Sequence, residues 1–217
     1  MISSLERVVP AEPGKPVRPE AAAVQARSRA IAEDPGRWSA AMARQTTEEF
    51  TRLAPVWDDS RGQYRPIPLR DALERGGPFP VGLCVEVGCG TGLLTELIAR
   101  VWPRIISLDL TWEMVRRSPA AWRINADAAR LPVADGSAAA VVVADVPLFA
   151  EEIVRILGPD GVVVWSNALG TESPHHVPVE VVAGALHRAE PHVGWDAVTA
   201  EAGWGLWAVL RRGASKR

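Results

Sequence analysis

The stretch Val85-Glu86-Val87-Gly88-Cys89-Gly90-Thr91-Gly92 decides the fold class of this 217-residue chain. It predicts a buried strand that runs into a glycine-rich turn, and residues 92–101 predict an amphipathic helix that leaves the turn. Backbone without Cβ can bend sharply and approach a ligand closely. Such a turn, at the carboxyl end of a parallel strand, is where doubly wound α/β proteins hold nucleotide-like ligands. The acidic Glu86 beside the turn indicates a ligand with a positive group.

The spacing of the glycines narrows the class of ligand. A dinucleotide fingerprint, G-x-G-x-x-G, would need a glycine where Leu93 stands, which disfavours a nicotinamide oxidoreductase. The observed G-x-G-x-G spacing, after a hydrophobic-acidic-hydrophobic run, resembles the glycine-rich motif of class I S-adenosylmethionine (SAM)-dependent methyltransferases. The resemblance covers about residues 80–212 and implies SAM as cofactor, with S-adenosylhomocysteine (SAH) as product. On the family pattern, the turn residues that hold it are Glu86, Gly88, Cys89, Gly90 and Gly92.

Acidic residues that follow later strands extend the resemblance. Asp109 ends the second predicted strand, where the family places the carboxylate that accepts two hydrogen bonds from the ribose diol. Capping of the helix that begins near Thr111 is the structural alternative, and both roles can coexist. The pair Asp127 and Ala128, ahead of a Leu-Pro, matches the family's contact to the adenine amino group and ring.

Further contacts follow from the same pattern. Leu110 and Met114 would supply the flat contacts of the adenine ring, although Met114 fits the core equally well. Asp145 follows a continuous apolar strand, at the mouth where the cofactor methyl group and the acceptor would meet. The alternative for Asp145 is a cap of the strand end that faces solvent.

The sequence gives a less specific indication of a general base than of the cofactor site. His175 and His176 lie just after a predicted strand, in a loop at the carboxyl edge of the sheet. Histidine titrates near neutral pH and can take a proton from an acceptor, so both are candidate catalytic residues. The alternative is a pair of surface histidines.

Strands that alternate with helices predict a doubly wound, Rossmann-like α/β fold. The predicted sheet is mostly parallel and seven-stranded, and it ends in an antiparallel hairpin over 195–211. We expect a flexible leader over residues 1–20, an N-terminal helical lid over 21–80 and a SAM-binding methyltransferase domain over 81–217. In the lid, Trp38, Trp57 and Tyr64 are candidates to stack on a planar ligand, with core packing the preferred interpretation for Trp38.

Composition excludes several classes of partner. The net charge of −2, with no basic patches interleaved with aromatic residues, argues against nucleic acid and anionic membrane. Two cysteines without nearby histidine ligands argue against a metal site or a disulfide framework, and they suit a reducing compartment. We expect a cytoplasmic protein, a monomer or a homodimer, without a signal peptide or a membrane-spanning run.

The resulting hypothesis is a SAM-dependent methyltransferase that acts on a small molecule at oxygen, carbon or nitrogen. It resembles the broad group of small-molecule methyltransferases, type 11 among them, that includes quinone-ring and natural-product enzymes. The alternative is a protein of the same fold that binds SAM or SAH without transferring the methyl group.

Overall fold

The computed structural model describes residues 1–17, 19–59 and 62–213, and a twisted eight-stranded sheet runs through its centre. In chain order the elements are β1 (Ile2–Ser4), α1 (Ala21–Glu33), α2 (Ala40–Leu53), α3 (Pro66–Arg75), β2 (Leu83–Val87), α4 (Thr95–Ala99), β3 (Arg104–Asp109), α5 (Trp112–Val115), β4 (Trp122–Asn125), β5 (Ala138–Ala144), α6 (Ala150–Ile156), β6 (Leu157–Asn167), α7 (Val179–Ala189), β7 (Trp195–Ala202) and β8 (Gly205–Arg212). Short 3₁₀ turns cover Pro35–Arg37, Ala54–Val56 and Gly170–Glu172.

The strand order places the glycine turn at a switch in the topology. The order across the sheet is β1-β7-β8-β6-β5-β2-β3-β4, and only β8 runs antiparallel to its neighbours. Strand β2 has β3 on one side and β5 on the other, so that Glu86 pairs with Ser107 and with Val142. The carboxyl ends of these three parallel strands therefore open a crevice where the connections diverge, which is the usual ligand site of such sheets.

Alternation along the central strands builds a core on each face. Val85, Val141 and Val143 point into a cluster that also contains residues of α6 and α7. Cys84 and Val142, on the other side of the pleat, pack with residues of α3 and α4. Helix α3 thus belongs to the layers around the sheet. By contrast, α1, α2 and residues 54–59 and 62–65 cover the crevice, and we call these segments the lid.

The observed sheet is mostly parallel with an antiparallel end, as predicted, but it contains an eighth strand. Residues 2–4, inside the predicted flexible leader, pair in parallel with Ala197–Thr199 at the sheet edge. Such a pairing spans nearly the whole chain and leaves no local pattern. Two other elements differ as well. Helix α4 covers only Thr95–Ala99 because the glycine turn extends to residue 94. Residues 158–161, whose Gly-Pro-Asp-Gly sequence is typical of a turn, form a bulge inside β6. Residues 214–217 of the predicted domain lie outside the described residues.

Candidate cofactor and acceptor site

The glycine turn after β2 has a backbone that ordinary residues adopt only with strain. The φ angles of Gly88, Gly90 and Gly92 are +67°, +57° and +89°. A Cβ on Gly88 would lie 2.6 Å from a methyl group of Val146, so this position also needs the space. Gly88 and Gly90 line the main cleft, whereas Gly92 packs inward against the Ser118–Pro119 segment. The turn therefore exposes its backbone to the cleft through two of its three glycines.

Asp109, at the end of β3, connects the glycine turn to the next helix. Its Oδ2 accepts a hydrogen bond of 2.8 Å from the Gly90 amide, and its Oδ1 accepts one of 2.8 Å from the Thr111 amide. Burial raises the pKa of Asp109 above its usual value, although both backbone bonds lower it. A carboxylate offers about four lone-pair sites, so two remain for a diol. Asp109 therefore accepts a hydrogen bond from the start of the next helix and can still accept hydrogen bonds from a ribose.

Glu86 lies beneath the turn. Its Oε2 accepts hydrogen bonds from the hydroxyls of Thr95 (2.7 Å) and Ser107 (2.6 Å). Burial raises the pKa of Glu86 to about 7, although both hydroxyls lower it. Glu86 and Cys89 border a small pocket below the turn and do not line the main cleft. Glu86 therefore connects the turn to α4 and β3.

The main cleft opens at the carboxyl edge of the sheet and encloses about 1530 Å³ of space, part of which is open to solvent. Eight of the predicted site residues line it: Gly88, Gly90, Asp109, Leu110, Asp127, Ala128, Asp145 and His175. Met114 is 1% exposed and does not line the cleft. It lies in the core, which was the alternative to a contact with adenine. The structure thus gathers residues from four strand ends, and His175 from the loop after β6, around one opening.

Asp127 is engaged by the lid. Its Oδ2 accepts a hydrogen bond of 2.9 Å from the indole nitrogen of Trp38, and its Oδ1 accepts one from the Ala129 amide. Trp38 also packs edge-on against Phe149, with ring centroids 5.6 Å apart. The preferred interpretation of Trp38 as a core residue was wrong, because its half-buried ring lines the cleft. Sequence spacing gives no signal for this pairing across 89 residues.

Asp145 sits at the cleft mouth in a strained backbone conformation, with a φ of +55° that is uncommon outside glycine. Its carboxylate accepts hydrogen bonds from the Ser173 hydroxyl (2.8 Å) and the Ala168 amide (3.2 Å). Arg65 lies 3.6 Å from the same carboxylate. These contacts join the end of β5 to the loop after β6. Asp145 is therefore held from two sides and does not face bulk solvent.

Arg65 is a site residue that sequence reasoning missed. Its side chain is 13% exposed, donates a hydrogen bond to the Ala144 carbonyl and lies over the Trp57 ring at 5.4 Å. Among the described residues, it is the only cation that borders both the main cleft and the small pocket below the glycine turn. Arginine has five N–H donors, so several remain for an anionic ligand. Arg65 precedes an ordinary helix start, and no motif distinguishes it.

The structure separates the two candidate histidines. His175 is half-buried, lines the cleft and contacts the Ser28 hydroxyl through Nδ1 at 3.0 Å. Burial lowers the pKa of His175 to about 4. His176 does not line the cleft, and its Nδ1 lies 3.1 Å from the side-chain oxygen of Asn167. Burial lowers its pKa as well.

The lid presents one face of each of its two helices to the cleft. On α2 the lining residues follow a helical period of three and four: Thr46, Glu49, Phe50 and Leu53. No residue of α2 is fully buried by the protein itself. Phe50 packs edge-on against Trp57 at 5.3 Å, and Trp57 and Tyr64 line the cleft beside it. The walls opposite the sheet edge are therefore largely aromatic and apolar.

Residues 1–17, 19–59 and 62–213 contain no group of three or more His, Cys, Asp or Glu side chains that is arranged to hold a metal ion. Across the same residues, no helix is both long and apolar enough to cross a membrane.

A glycine turn, two acidic strand ends and a covered crevice define a Rossmann-like domain for a nucleoside-containing cofactor. Residues 85–165 match the family model described as a methyltransferase domain. These residues therefore contain a methyltransferase domain, in agreement with the resemblance that the glycine motif indicated.

Curated relatives match a stretch of similar length. A ubiquinone biosynthesis O-methyltransferase of Ralstonia nicotianae is 34% identical over 74 residues, which is 32% of this chain and 31% of that protein. One from Actinobacillus pleuropneumoniae is 35% identical over 72 residues, 30% of this chain and 31% of that protein. The match thus spans about a third of the length of these relatives.

Solved structures share the fold over a longer stretch. The complex of DhpI with SAH superposes with a TM-score of 0.64 at 20% identity, and covers 82% of this chain and 100% of that one. A SAM-dependent methyltransferase from Aquifex aeolicus gives a TM-score of 0.58 at 16% identity, over 75% and 97% of the two chains. The [4+2]-cyclase SpnF gives 0.57 at 16% identity, over 71% and 74%. These similarities extend to the fold alone.

Proposed function

We propose that this protein transfers the methyl group of SAM to a small-molecule acceptor. One observation carries the proposal: the cofactor-type residues Gly88, Gly90, Asp109 and Asp127 open onto the same cleft as an aromatic-lined space under the lid. A cofactor and a second, largely apolar molecule would then meet in one enclosure. Such an arrangement suits a two-substrate transfer, in which much of the rate comes from positioning.

Residues that line the cleft offer a partner for each part of SAM. Asp109 retains acceptor capacity for the ribose diol, and Asp127 with Ala128 and Leu110 forms an edge and a flat wall for adenine. Gly88 and Gly90 allow backbone to approach the methionyl part. Arg65 offers a cation for its carboxylate.

The catalytic demands are modest. When bound, SAM supplies an activated methyl group on a cationic sulfonium. The residues around it must hold that charge without favouring it over the neutral product, which suits aromatic faces and carboxylates that are already hydrogen-bonded. Asp145 lies at the mouth, where it can orient an acceptor. His175 is the candidate base, because its imidazole is neutral at pH 7 and borders the cleft. We assign no catalytic role to His176.

The walls favour a planar, largely apolar acceptor. Aromatic rings from both sides surround the space: Trp38, Phe50, Trp57, Tyr64 and Phe149. The curated relatives are named as O-methyltransferases of ubiquinone biosynthesis, which supports an aromatic hydroxyl as one acceptor to screen. Methylation at carbon or nitrogen remains an alternative within the same proposal.

The alternative function is that of a protein with the same fold that does not transfer a methyl group. The similarity to a structure described as a [4+2]-cyclase supports this alternative, a protein that binds SAM or SAH without methyl transfer. The two functions differ in whether labelled methyl groups leave the cofactor in the presence of an aromatic acceptor panel.

Calorimetric titration with SAH, with NADH as a control ligand, tests the cofactor. Micromolar binding of SAH alone is expected. Asp109→Ala is expected to weaken it at least about tenfold, about 1.4 kcal/mol, because the ribose diol loses its acceptor. Asp135→Ala is the matched control, since Asp135 is an exposed partner of Arg155 outside the cleft. Binding of NADH in place of SAH would refute the proposal, and an unchanged affinity in Asp109→Ala would refute the ribose assignment.

A further inference from the structure

A buried serine of helix α1 determines which nitrogen of His175 carries hydrogen. Ser28 is 1% exposed, and its hydroxyl oxygen lies 3.0 Å from Nδ1 of His175, across 147 residues of sequence. Among the described residues, Nδ1 is the only hydrogen-bond partner of this hydroxyl. Thr47 of α2 differs, because its hydroxyl donates to the Ala43 carbonyl one turn back. Within the described part of the chain, the proton of Ser28 therefore has Nδ1 as its sole acceptor.

The cost of a buried proton without an acceptor decides the direction of this hydrogen bond. When Ser28 donates, Nδ1 uses its lone pair, and a neutral ring then carries its hydrogen on Nε2. Burial lowers the pKa of His175 to about 4, Asp145 raises it, and Arg27 of α1 and Arg65 before α3 lower it. The ring is therefore neutral at pH 7, with its hydrogen on the nitrogen opposite to Ser28.

The second ring nitrogen is open to the cleft. His175 lines the cleft beside Leu169 and Pro174, and no side chain or backbone group of the described residues bonds to its Nε2. Across the same residues, only the indole nitrogens of Trp165 and Trp195 are both fully buried and without a partner. Nε2 is therefore reached from the cleft, in a part of the wall that is largely apolar.

The same helix also holds the loop on which His175 lies. The Gln25 amide, one turn before Ser28, donates hydrogen bonds of 2.8 Å to the carbonyls of Thr171 and Ser173. Residues 25 and 28 of α1 therefore fix both the backbone of the loop and the ring of its histidine. A ring that is supported in this way presents its N–H group in one direction.

We propose that Ser28 holds His175 as the tautomer with hydrogen on Nε2, and that this N–H group recognises the methyl acceptor by donating a hydrogen bond to one of its oxygen atoms. The inference rests on the proposed function. It makes His175 a recognition residue in place of the candidate base, because the cleft side of the ring then has no lone pair to take a proton.

A donor at this place narrows the class of acceptor. The preferred molecule is planar and carries a carbonyl or ether oxygen besides the atom that is methylated. A molecule of the same shape without that oxygen would displace water from Nε2 and leave the N–H group unpaired. A site that is built to form a hydrogen bond discriminates against such analogues.

Nitrogen-15 NMR of the full chain, labelled at its four histidines, measures the tautomer directly. The His175→Ala spectrum assigns the resonances of His175. In the wild type at pH 7 we expect a neutral ring with hydrogen on Nε2 only. Ser28→Ala removes the donor to Nδ1 and should give a mixture of both tautomers, whereas Ser28→Thr retains the hydroxyl and should keep the single form. Ser137→Ala, at an exposed serine that bonds to the Ala134 carbonyl, is the control that should leave His175 unchanged.

A matched pair of probes, added to the protein saturated with SAH, tests the recognition of an oxygen. The first probe, para-hydroxyacetophenone, has a carbonyl oxygen; the second, para-ethylphenol, has nearly the same size and the same hydroxyl but no carbonyl. We expect the first probe to shift the Nε2 resonance of His175 and to bind about tenfold more tightly than the second. His175→Phe, which keeps a ring without the N–H group, should remove this preference.

The outcomes separate this inference from the proposed function. A wild-type ring that is charged at pH 7, or that carries hydrogen on Nδ1, overturns the inference even if Ser28→Ala does not fold. An unchanged tautomer in a folded Ser28→Ala variant overturns the role of Ser28. Equal affinities for the two probes, or an Nε2 resonance that the carbonyl probe does not shift, overturn the recognition of an oxygen. Failure of SAH to bind to the wild type would instead refute the function, whatever the tautomer, which is measured without SAH.

Discussion

The sheet edge and the lid line the same cleft from opposite sides, but they are built differently. On the sheet side, the glycine turn and Asp145 follow β2 and β5, whose central residues Val85, Val141 and Val143 are completely buried. On the lid side, α2 has no fully buried residue, and the face that carries Phe50 and Leu53 lines the cleft. Packing therefore fixes the sheet side before any ligand arrives. The lid has contact surface that only a ligand can bury.

This difference assigns separate tasks to the two halves. A rigid strand edge is suited to a cofactor that is the same in every turnover, whereas exposed helices can accommodate an acceptor and exclude water around it. The lid still reaches across to the cofactor side at Arg65 and Trp38. The following variants test whether the buried groups of the sheet side lower folding stability, and whether these lid contacts strengthen binding of the cofactor.

The largest effect is expected at Glu86, the buried carboxyl on the sheet side. Its pKa in the folded protein is about 7, above the ordinary 4.5, so the folded state binds this proton more tightly than the unfolded chain does. Its stabilising contribution is complete below pH 4.5 and is lost as pH rises through 7. The loss amounts to roughly 3 kcal/mol. The amide oxygen of Gln can accept hydrogen bonds from the same hydroxyls but does not titrate. Glu86→Gln should therefore remove this pH-dependent loss of stability.

Denaturant unfolding at pH 5 and pH 8 measures this difference. Relative to wild type, Glu86→Gln should gain stability between the two pH values. Glu151→Gln, at an exposed glutamate of α6, is the control. Parallel pH profiles of wild type and Glu86→Gln would show that ionisation of the buried carboxyl does not lower folding stability.

Gly88→Ala should have the next largest effect. A left-handed φ costs an L residue about 1–2 kcal/mol, and here Cβ would also crowd Val146 at 2.6 Å. We expect SAH affinity to fall at least about 30-fold, about 2 kcal/mol. Gly136→Ala separates the two causes, because Gly136 has a φ of +63° and no neighbouring atom within 4 Å of the place where a Cβ would lie. Calorimetry and thermal melting of both variants give the comparison; equal losses of SAH affinity would refute a specific role for the turn.

The same contrast explains what the sequence predicts and what it does not. Apolar runs and glycine spacing are local, and carboxyl ends of parallel strands share one edge, so Asp109, Asp127 and Asp145 could be placed at one site from sequence alone. The lid contacts depend on how helices pack across 89 to 147 residues of chain, for which no local pattern exists. Arg65 was therefore missed and Trp38 was assigned to the core. The edge strand Ile2–Ser4 escaped prediction for the same reason.

Arg65→Met tests whether the lid binds the methionyl end of the cofactor. Removal of the cation that borders both the cleft and the pocket below the turn should weaken SAH binding about tenfold, about 1.4 kcal/mol. Binding of 5′-methylthioadenosine, which lacks the amino-acid portion, should be unaffected. Arg70→Met, at an exposed arginine of α3, is the control. Equal losses for both ligands would mean that Arg65 acts only through the fold.

Trp38→Phe tests the lid at the opposite end of the cofactor, and the smallest effect is expected there. Phenylalanine keeps the edge-on packing against Phe149 but cannot donate to Asp127, so the carboxylate loses one of the contacts that orient it. SAH affinity should fall about threefold, about 0.7 kcal/mol. Trp112→Phe, at a tryptophan that is 57% exposed, should change nothing. Because the contact lies on the adenine side, 5′-methylthioadenosine should lose the same factor as SAH, the reverse of the pattern at Arg65. A loss confined to SAH would place Trp38 at the methionyl end and contradict the assignment of Asp127 to adenine.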